Sequence, residues 1–230
     1  MNKKNSIRAL FYLTLFVSVL TSCEFKNRPG NNSRRKLRHD ENYVRQVNNG
    51  IIKNYTFIGS VQRETLATID SLQIKIRYGS PGVRKRPIWG KLVAYDSVWV
   101  SGANTATSME FSRDVQLNGK TLKAGRYAFF TIPGRKVWTA IFNADYQQHN
   151  ADDYDASKDV LRLELVPDTL LRPVQRLSYD IIRNEGRPAE ISLTWEKLKI
   201  AFDVKRDSSG IKQGNAGKGK SGMIDKGNGS

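Results

Sequence analysis

Apolar and polar residues alternate along most of the chain between residues 51 and 204. The segment LQIKIRY (72–78) places its Leu, Ile, Ile and Tyr on one face and its Gln, Lys and Arg on the other. The segment KLKIAFDV (197–204) alternates in the same way, with Leu198, Ile200, Phe202 and Val204 on its apolar face. A period of two residues is typical of a strand that buries one face. The pattern therefore predicts strands rather than helices.

Turn signals separate these segments. Asn118-Gly119 lies between DVQL and KTL, and both central positions of a two-residue hairpin favour positive φ. GRYAFFTI (125–132) and VWTAIFN (137–143) flank a Pro-Gly turn and predict a second hairpin, whose first strand is apolar on both faces and therefore central. Further strands are predicted in DVLRLELV (159–166), VQRLSYDII (174–182) and EISLTWE (190–196). The fold class is all-β: a single antiparallel β-sandwich or jelly-roll-like domain over 50–204, with a barrel as the related alternative.

The N-terminal segment carries an export signal. Lys3, Lys4 and Arg8 precede an apolar run (9–20), and Leu20-Thr21-Ser22-Cys23 follows it. This order is typical of a signal peptide (1–22), and the run is short for a membrane span. Cys23 is the only cysteine, which excludes an intramolecular disulfide, and its setting resembles the lipobox of bacterial lipoproteins. The resemblance implies that diacylglycerol modifies Cys23 and anchors the mature chain to a membrane. The alternative is an ordinary secreted protein with one free thiol.

The segments on either side of the predicted domain lack core-forming patterns. Residues 23–49 are rich in Asn and Arg and predict a basic flexible tether, with a short helical turn near Tyr43 to Val47. Residues 205–230 are rich in Gly, Lys and Ser and predict a disordered tail. Glu24 stands where an Asp is associated with retention in the inner membrane, so the outer membrane is the expected location, on either its periplasmic or its surface-exposed side.

The chain is strongly basic, with 38 Lys+Arg against 22 Asp+Glu and a formal net charge of +16. Such a charge suggests nucleic acid as a partner, but the larger part of the mature chain's excess charge lies in the two tails. An exported, lipid-anchored protein does not meet nucleic acid, so none is predicted as a partner. The tails are explained as solvated segments, or alternatively as segments attracted to anionic lipid head groups.

The candidate chemistry is sparse. Histidine occurs only at His39 and His149, so neither a metal site built from His and Cys clusters nor any cofactor is predicted. The nucleophile-elbow, P-loop and zinc-protease motifs are absent from the sequence. An Asp-rich loop (143–159) could bind Ca²⁺ through oxygen, although its spacing is not that of an EF-hand and a solvated loop is favoured. No catalytic residue is predicted. The enzymatic alternative is a carbohydrate-active hydrolase that uses Asp152, Asp153 or Glu110, which requires two carboxyl groups facing each other across a groove.

A series of blocks carries a family resemblance. They begin at Tyr78 to Pro81 and continue with KRPIWGKLVAYDSVW, SGAN, FSRDVQLNGKTLKAGRYAFFTIP, W-x-x-IFN and LTWEKLKIAFDV. In these blocks the chain resembles the bacterial family "domain of unknown function 2911" over about residues 70–204. The resemblance implies an exported, β-rich protein with no established activity. The family's central block is W-R-T-G-A-N-E-A-T, and this chain has Val100, Ser101 and Thr105 in place of Arg, Thr and Glu. If the family binds a ligand with that Arg and Glu, this chain binds differently or not at all.

The stretch VWVSGAN (98–104) has two interpretations. Trp89 and Trp99 could form an aromatic platform with Arg86 and Asn104 as hydrogen-bonding groups, which is how many small-ligand sites are built and which would suit a glycan. Alternatively, Trp99 is part of the core, Gly102 permits a close backbone approach, and Asn104 bonds main-chain groups at a turn. The structural interpretation is favoured because the two charged groups are missing. The sequence as a whole predicts a non-catalytic envelope module that binds a small molecule or glycan, with a purely structural envelope protein as a further alternative.

Overall fold

The alternating segments form two antiparallel sheets in the computed structural model, which describes residues 41–53, 59–148 and 151–208. One helix precedes ten strands: α1 (Glu41–Asn48), β1 (Val61–Ile69), β2 (Leu72–Ser80), β3 (Thr107–Phe111), β4 (Val115–Leu117), β5 (Lys120–Leu122), β6 (Gly125–Ile132), β7 (Trp138–Asn143), β8 (Asp159–Leu165), β9 (Asp168–Ile182) and β10 (Ala189–Arg206). Short 3-10 turns at Ala151–Asp153 and Ala156–Lys158 lie between β7 and β8. The predicted signal peptide, Cys23, both histidines and the tail beyond residue 208 lie outside the described residues.

The two sheets confirm the predicted sandwich. The larger sheet has the order β1-β2-β3-β6-β7-β8 and the smaller one the order β5-β4-β10-β9. The hairpin at Asn118-Gly119 joins β4 to β5 with positive φ at both residues, as the turn type requires. The second predicted hairpin joins β6 to β7, and β6 is indeed central, with β3 on its other side.

The core lies between the facing sides of the two sheets. The four apolar residues of LQIKIRY are all at most 1% exposed, which confirms the predicted inward face of β2. Phe129 of β6 packs against Phe142 of β7 and Phe202 of β10, at ring-centroid distances of 5.2 and 5.9 Å. Since Phe202 belongs to the smaller sheet, this aromatic group joins the two layers.

Strand β10 is longer than predicted and sharply bent. EISLTWE and KLKIAFDV were expected to be separate strands, but they are continuous, with an irregular register at Glu196, where φ is +54°. Lys199 Nζ lies 2.7 Å from Glu190 Oε1, although a straight strand would separate the two residues by about 30 Å. The bend therefore takes the place of the predicted break, and the paired strand β9 begins at Asp168 rather than at Val174.

The predicted tether includes a helix that packs on the domain. Residues 41–48 form α1, whose Tyr43, Val44 and Val47 are at most 4% exposed and pack with Val61 of β1. Asn48, at its end, hydrogen-bonds to β9. The flexible tether expected over 23–49 therefore does not extend over α1, because apolar residues one and four positions apart bury one face of the helix. Within the described part of the chain, no helix is long and apolar enough to cross a membrane.

One end of the sandwich is covered by a long connection between β2 and β3 (81–106). Isolated bridges attach this connection to β9 at Gly82–Arg176 and to β6 at Trp99–Thr131. The turn between β6 and β7 and the connection between β8 and β9 lie at the same end. We call this the tryptophan end, because Trp89, Trp99, Trp138 and Trp195 all lie there.

Candidate functional site

The four tryptophans of the chain form one cluster. Trp138 and Trp195 project from the two sheets and are 0% and 1% exposed, while Trp89 and Trp99 come from the β2–β3 connection and are partly buried. The ring centroids of Trp89 and Trp138 are 4.9 Å apart, and Trp99 stacks on Trp195 at 5.9 Å. Aromatic pairs of this kind contribute about 0.5–1.5 kcal/mol each beyond their buried area. The cluster therefore closes the end of the core.

The polar atoms of the cluster point inward. Trp99 Nε1 donates to the carbonyl of Gly102 at 3.2 Å. The Nε1 atoms of Trp89, Trp138 and Trp195 are buried and have no hydrogen-bond acceptor among the described residues. A ligand on the surface would not reach these donors. The predicted pair Trp89 and Trp99 is thus brought together, with ring centroids 5.8 Å apart, but mainly as part of the core.

Ser101 is the polar centre of the VWVSGAN stretch. It is fully buried with φ of +53°, and its hydroxyl donates to Thr131 Oγ1 at 3.0 Å. Its carbonyl accepts from Thr107 Oγ1 at 3.0 Å and from the Tyr179 hydroxyl at 2.8 Å. Residues from both sheets therefore converge on this one peptide, which fixes the position of the connection over the core.

The adjacent glycines permit two backbones to touch. A Cβ atom placed on Gly79 of β2 would lie 2.1 Å from the carbonyl oxygen of Ala103, and one on Gly102 would lie 2.8 Å from Thr107 Oγ1. Real Cβ atoms essentially never approach other atoms to less than 3.0 Å. The geometry therefore contains the close backbone approach that the structural interpretation of the sequence required.

Asn104 lies at the surface, whereas Val100, one of the positions where the chain departs from the family pattern, packs on an apolar cluster. Asn104 is exposed with φ of +74°, and its side chain makes no hydrogen bond within the described part of the chain, in contrast to the expected main-chain contact. Asn tolerates this left-handed conformation better than most residues, which explains its presence. Val100, where the family has Arg, packs on an apolar cluster that contains Phe130 and Ile141.

Arg86 is engaged by its own loop. Its Nη2 donates to the carbonyl of Gly82 at 2.6 Å and its Nε to that of Val83 at 3.2 Å, and the side chain is partly buried. These two contacts hold the turn between β2 and Trp89. Among the described residues, no hydrogen bond or ring contact joins the side chain of Arg86 or Asn104 to Trp89 or Trp99.

A polar groove lies on the side of the sandwich, where α1, β1, β9 and β10 meet. Its volume is about 360 Å³, and it is lined by Val44, Arg45, Asn48, Asn49, Arg63, Val174, Ser178, Asp180 and Thr194. Asn48 joins the helix to β9: its side-chain oxygen accepts from the backbone N–H of Arg176 at 2.7 Å, and its amide donates to Ser178 Oγ at 3.1 Å. The helix that the sequence placed in the tether thus builds one wall of the groove.

A buried hydrogen-bond network extends from the groove to Ser101. Arg63 Nη1 donates to the Tyr78 hydroxyl at 2.8 Å, and that oxygen also accepts the backbone N–H of Tyr179 at 3.2 Å. The Tyr179 hydroxyl then donates to Ser101. Burial raises the pKa of the Tyr78 hydroxyl, an effect that the Arg63 charge opposes, and burial raises the pKa of Tyr179 well above its ordinary value. Both tyrosines are therefore neutral hydrogen-bonding groups at pH 7.

Sequence patterns did not identify the groove. Arg63 and Ser178 stand in ordinary strand segments, and they meet only because β1 lies beside β9. The available signal was the predicted helical turn near Tyr43 to Val47, whose apolar spacing indicates a buried face.

The carboxylates proposed for hydrolysis are arranged differently. Glu110 accepts two hydrogen bonds from Arg126, at 3.0 and 2.7 Å, and these bonds lower the pKa of its carboxyl. It is therefore held ionised, which is unsuitable for a general acid. Asp152 and Asp153 are exposed on a 3-10 turn.

The Asp-rich loop is crossed by its own ion pairs and hydrogen bonds. Lys158 Nζ lies 2.8 Å from Asp145, and Arg162 Nη2 lies 2.6 Å from Asp159. Asp155 accepts from the backbone N–H of Ser157 at the start of a 3-10 turn. Among the described residues, no group of three or more His, Cys, Asp or Glu side chains could hold a metal ion.

Comparisons with known proteins agree with the predicted resemblance. No curated protein and no solved structure matches the chain. A family described as "Protein of unknown function (DUF2911)" matches residues 60–204, a span that begins in the segment leading into β1 and ends near the end of β10. The chain belongs to this family.

Proposed function

We propose that this protein is a lipid-anchored, non-catalytic binding module of the bacterial outer membrane, which takes a polar ligand in the groove between α1 and β9. The anchoring part of the proposal is supported by the sequence Leu20-Thr21-Ser22-Cys23 after a basic and apolar N-terminal segment. Two or three acyl chains would give stable membrane attachment.

The observation that carries the binding role is the convergence of polar side chains from four elements on one concave surface. Thr194 can both donate and accept hydrogen bonds, Asn48 retains acceptor capacity on its side-chain oxygen, and Arg63 and Asp180, which also have partners within the protein, supply charges of opposite sign. A ligand that presents many hydroxyl and amide groups matches such a mixed surface, and the volume of about 360 Å³ lies near the lower limit for small-ligand sites. An oligosaccharide or a fragment of cell-wall glycan is the ligand class that these groups fit.

The groove also has a rigid foundation. Its floor is tied through Tyr78 and Tyr179 to Ser101, so the polar groups are held in place before a ligand arrives. Preorganised groups bind with less loss of conformational freedom. Catalysis is less well supported, because the Glu110 carboxylate is neutralised by Arg126.

Anchoring is tested by expressing the full chain and Cys23→Ala in a Gram-negative host supplied with a labelled fatty acid. The expected result is label on the wild-type protein in the outer-membrane fraction, with no label on the variant. Equal labelling of both proteins would show that lipid is attached elsewhere, and no labelling of either would overturn the anchoring proposal.

Binding is tested by titrating isotope-labelled protein with peptidoglycan fragments and neutral oligosaccharides and following amide chemical shifts. Shifts at Asn48, Asn49 and Thr194 are expected, and Asp180→Ala should weaken binding about tenfold, which corresponds to ~1.4 kcal/mol. The matched control is Glu185→Ala, which removes an exposed carboxylate from the β9–β10 turn. Shifts confined to Trp89 and Trp99 would place the ligand on the aromatic surface instead.

A further inference from the structure

Four large apolar side chains are exposed at the tryptophan end. Leu92 is 47% exposed, Val137 45%, Val166 71% and Leu171 103%. Exposed apolar residues are common when they are scattered singly, but a group at one end of a domain needs a reason. The connectivity shows that these four are a group.

Contacts within the core bring the four residues to the same end. Trp138 of β7 pairs with Leu165 of β8 in an antiparallel register. Val137, which precedes Trp138, therefore lies opposite Val166, which follows Leu165. Leu92 lies at the tip of the tight turn after Trp89, whose ring contacts that of Trp138.

Leu171 lies in the irregular part of the β9–β10 pairing, opposite the bend of β10. Its neighbours in the register are Thr169, which pairs with Leu198, and Val174, which pairs with Glu196. The bend is directly next to Trp195, whose ring lies 5.8 Å from that of Trp89. Leu171 therefore belongs to the same end of the molecule.

Exposed basic residues accompany three of the four apolar tips. Lys91 precedes Leu92, Arg135 and Lys136 precede Val137, and Arg172 follows Leu171, while Lys197 lies on the partner strand at the bend. The exposed acidic residues near the tips are Asp96, Glu164 and Asp168. Arg135 also covers the Tyr95 ring at 4.8 Å. Short apolar tips surrounded by bases are the arrangement that inserts into the head-group region of an anionic bilayer.

We propose that the tryptophan end docks onto an anionic membrane surface, with Leu92, Val137, Val166 and Leu171 entering the head-group region and the neighbouring bases contacting lipid phosphates. Charge complementarity favours a bilayer over a second copy of this basic chain.

The proposal does not depend on lipidation or on a ligand in the groove, which lies on the side of the sandwich. The test therefore uses the mature chain from residue 23 with Cys23→Ser, so that no acyl chain is present. Binding is measured by co-sedimentation with vesicles of phosphatidylglycerol and phosphatidylethanolamine, and with vesicles of phosphatidylcholine alone. Both basic tails are kept in every variant, so their contribution is constant.

The charge of the end is tested with Lys136→Glu/Arg172→Glu against the matched double variant Arg113→Glu/Arg187→Glu, which makes the same change in net charge at exposed positions elsewhere. Each base near an anionic surface is worth roughly fivefold in binding, so the first variant should lose at least about 25-fold in partitioning to anionic vesicles. The second should lose much less. Equal losses would show that net charge and the tails alone attract the protein, and would overturn the proposal.

The apolar tips are tested with Leu92→Ser/Leu171→Ser against Leu66→Ser/Ile182→Ser, which removes two comparably exposed side chains elsewhere. Only the first variant should weaken vesicle binding, by several-fold, with urea midpoints of both variants close to wild type. Equal binding of all proteins to neutral and anionic vesicles would contradict the proposal. So would a solution dimer, detected by light scattering, that only Leu92→Ser/Leu171→Ser abolishes, because it would assign the surface to a second copy.

Discussion

The close approach of two backbones at Gly79 gives a quantitative test of the tryptophan end. In Gly79→Ala the new methyl group would lie 2.1 Å from the carbonyl oxygen of Ala103, about 1 Å inside the shortest contact that real Cβ atoms show. Neither backbone can retreat freely. Ser80, next to Gly79, donates to the carbonyl of Leu177 at 2.6 Å, and Ser101 is held by Thr107 and Tyr179. Because the overlap is with main-chain atoms, rotation of a side chain cannot relieve it.

Overpacking in a well-packed core typically costs about 1–3 kcal/mol, and a main-chain overlap belongs at the upper end, so we expect about 3 kcal/mol for Gly79→Ala. With a urea m-value of about 2 kcal/mol/M, the unfolding midpoint should fall by roughly 1.5 M. The assay is urea unfolding of the full chain followed by tryptophan fluorescence, since all four indoles lie in the cluster and report its opening.

The matched control is Gly119→Ala at the tip of the β4–β5 hairpin. Its φ is +80° and a Cβ atom would meet nothing within 4 Å, so only the left-handed backbone conformation is penalised, by about 1–2 kcal/mol. Gly79 has no such backbone penalty. A loss of stability in Gly79→Ala that exceeds the loss in Gly119→Ala is therefore due to the overlap. A Gly79→Ala protein within about 0.5 kcal/mol of wild type, or one less destabilised than Gly119→Ala, would refute the close approach.

Four further predictions concern single side chains. Asn104→Ala should destabilise the protein by about 1 kcal/mol in urea unfolding, because φ is +74°, whereas Asn104→Gly should be neutral; equal losses would assign the effect to the side chain. Asn48→Ala should cost about 1–3 kcal/mol and increase amide exchange in α1, because buried partners on β9 lose their bonds. The bonds from Arg126 lower the carboxyl pKa of Glu110 from 4.5, so the ionised carboxylate stabilises the folded protein at pH 7 and Glu110→Gln should be less stable there. The difference in unfolding free energy between the two proteins should disappear as pH falls through the lowered pKa, which is checked by measuring the stability of both proteins in an acid titration. Burial and a bond to Asp159 raise the pKa of Tyr154 from 10.0 to about 12, so its stabilising contribution is complete below pH 10 and lost as pH rises through about 12; the ultraviolet difference between wild type and Tyr154→Phe should titrate there.

The strands and their inward faces were predictable because the relevant information is local. Alternation in LQIKIRY directly determines which side chains of β2 can share a face, and Asn118-Gly119 specifies its hairpin through backbone preference alone. The family blocks, which follow in a fixed order along the chain, were equally visible. The bend of β10 was predicted in part. The predicted break falls at Glu196, where the register is irregular, but the segment itself does not show that β9 pairs with β10 on both sides of this position.

What only the tertiary structure decided is which distant residues meet. The sequence placed Trp89 and Trp99 near each other but gave no reason to join them to Trp138 and Trp195, since those come from strands of different sheets. The polar groove depends in the same way on β1 lying beside β9, which brings Arg63 to Ser178 across more than a hundred residues. A strand's period determines its buried face, whereas its neighbour is selected by packing over the whole domain. That is why the sequence by itself determined a β-rich type of chain, and only the folded structure defined the groove and the tryptophan end.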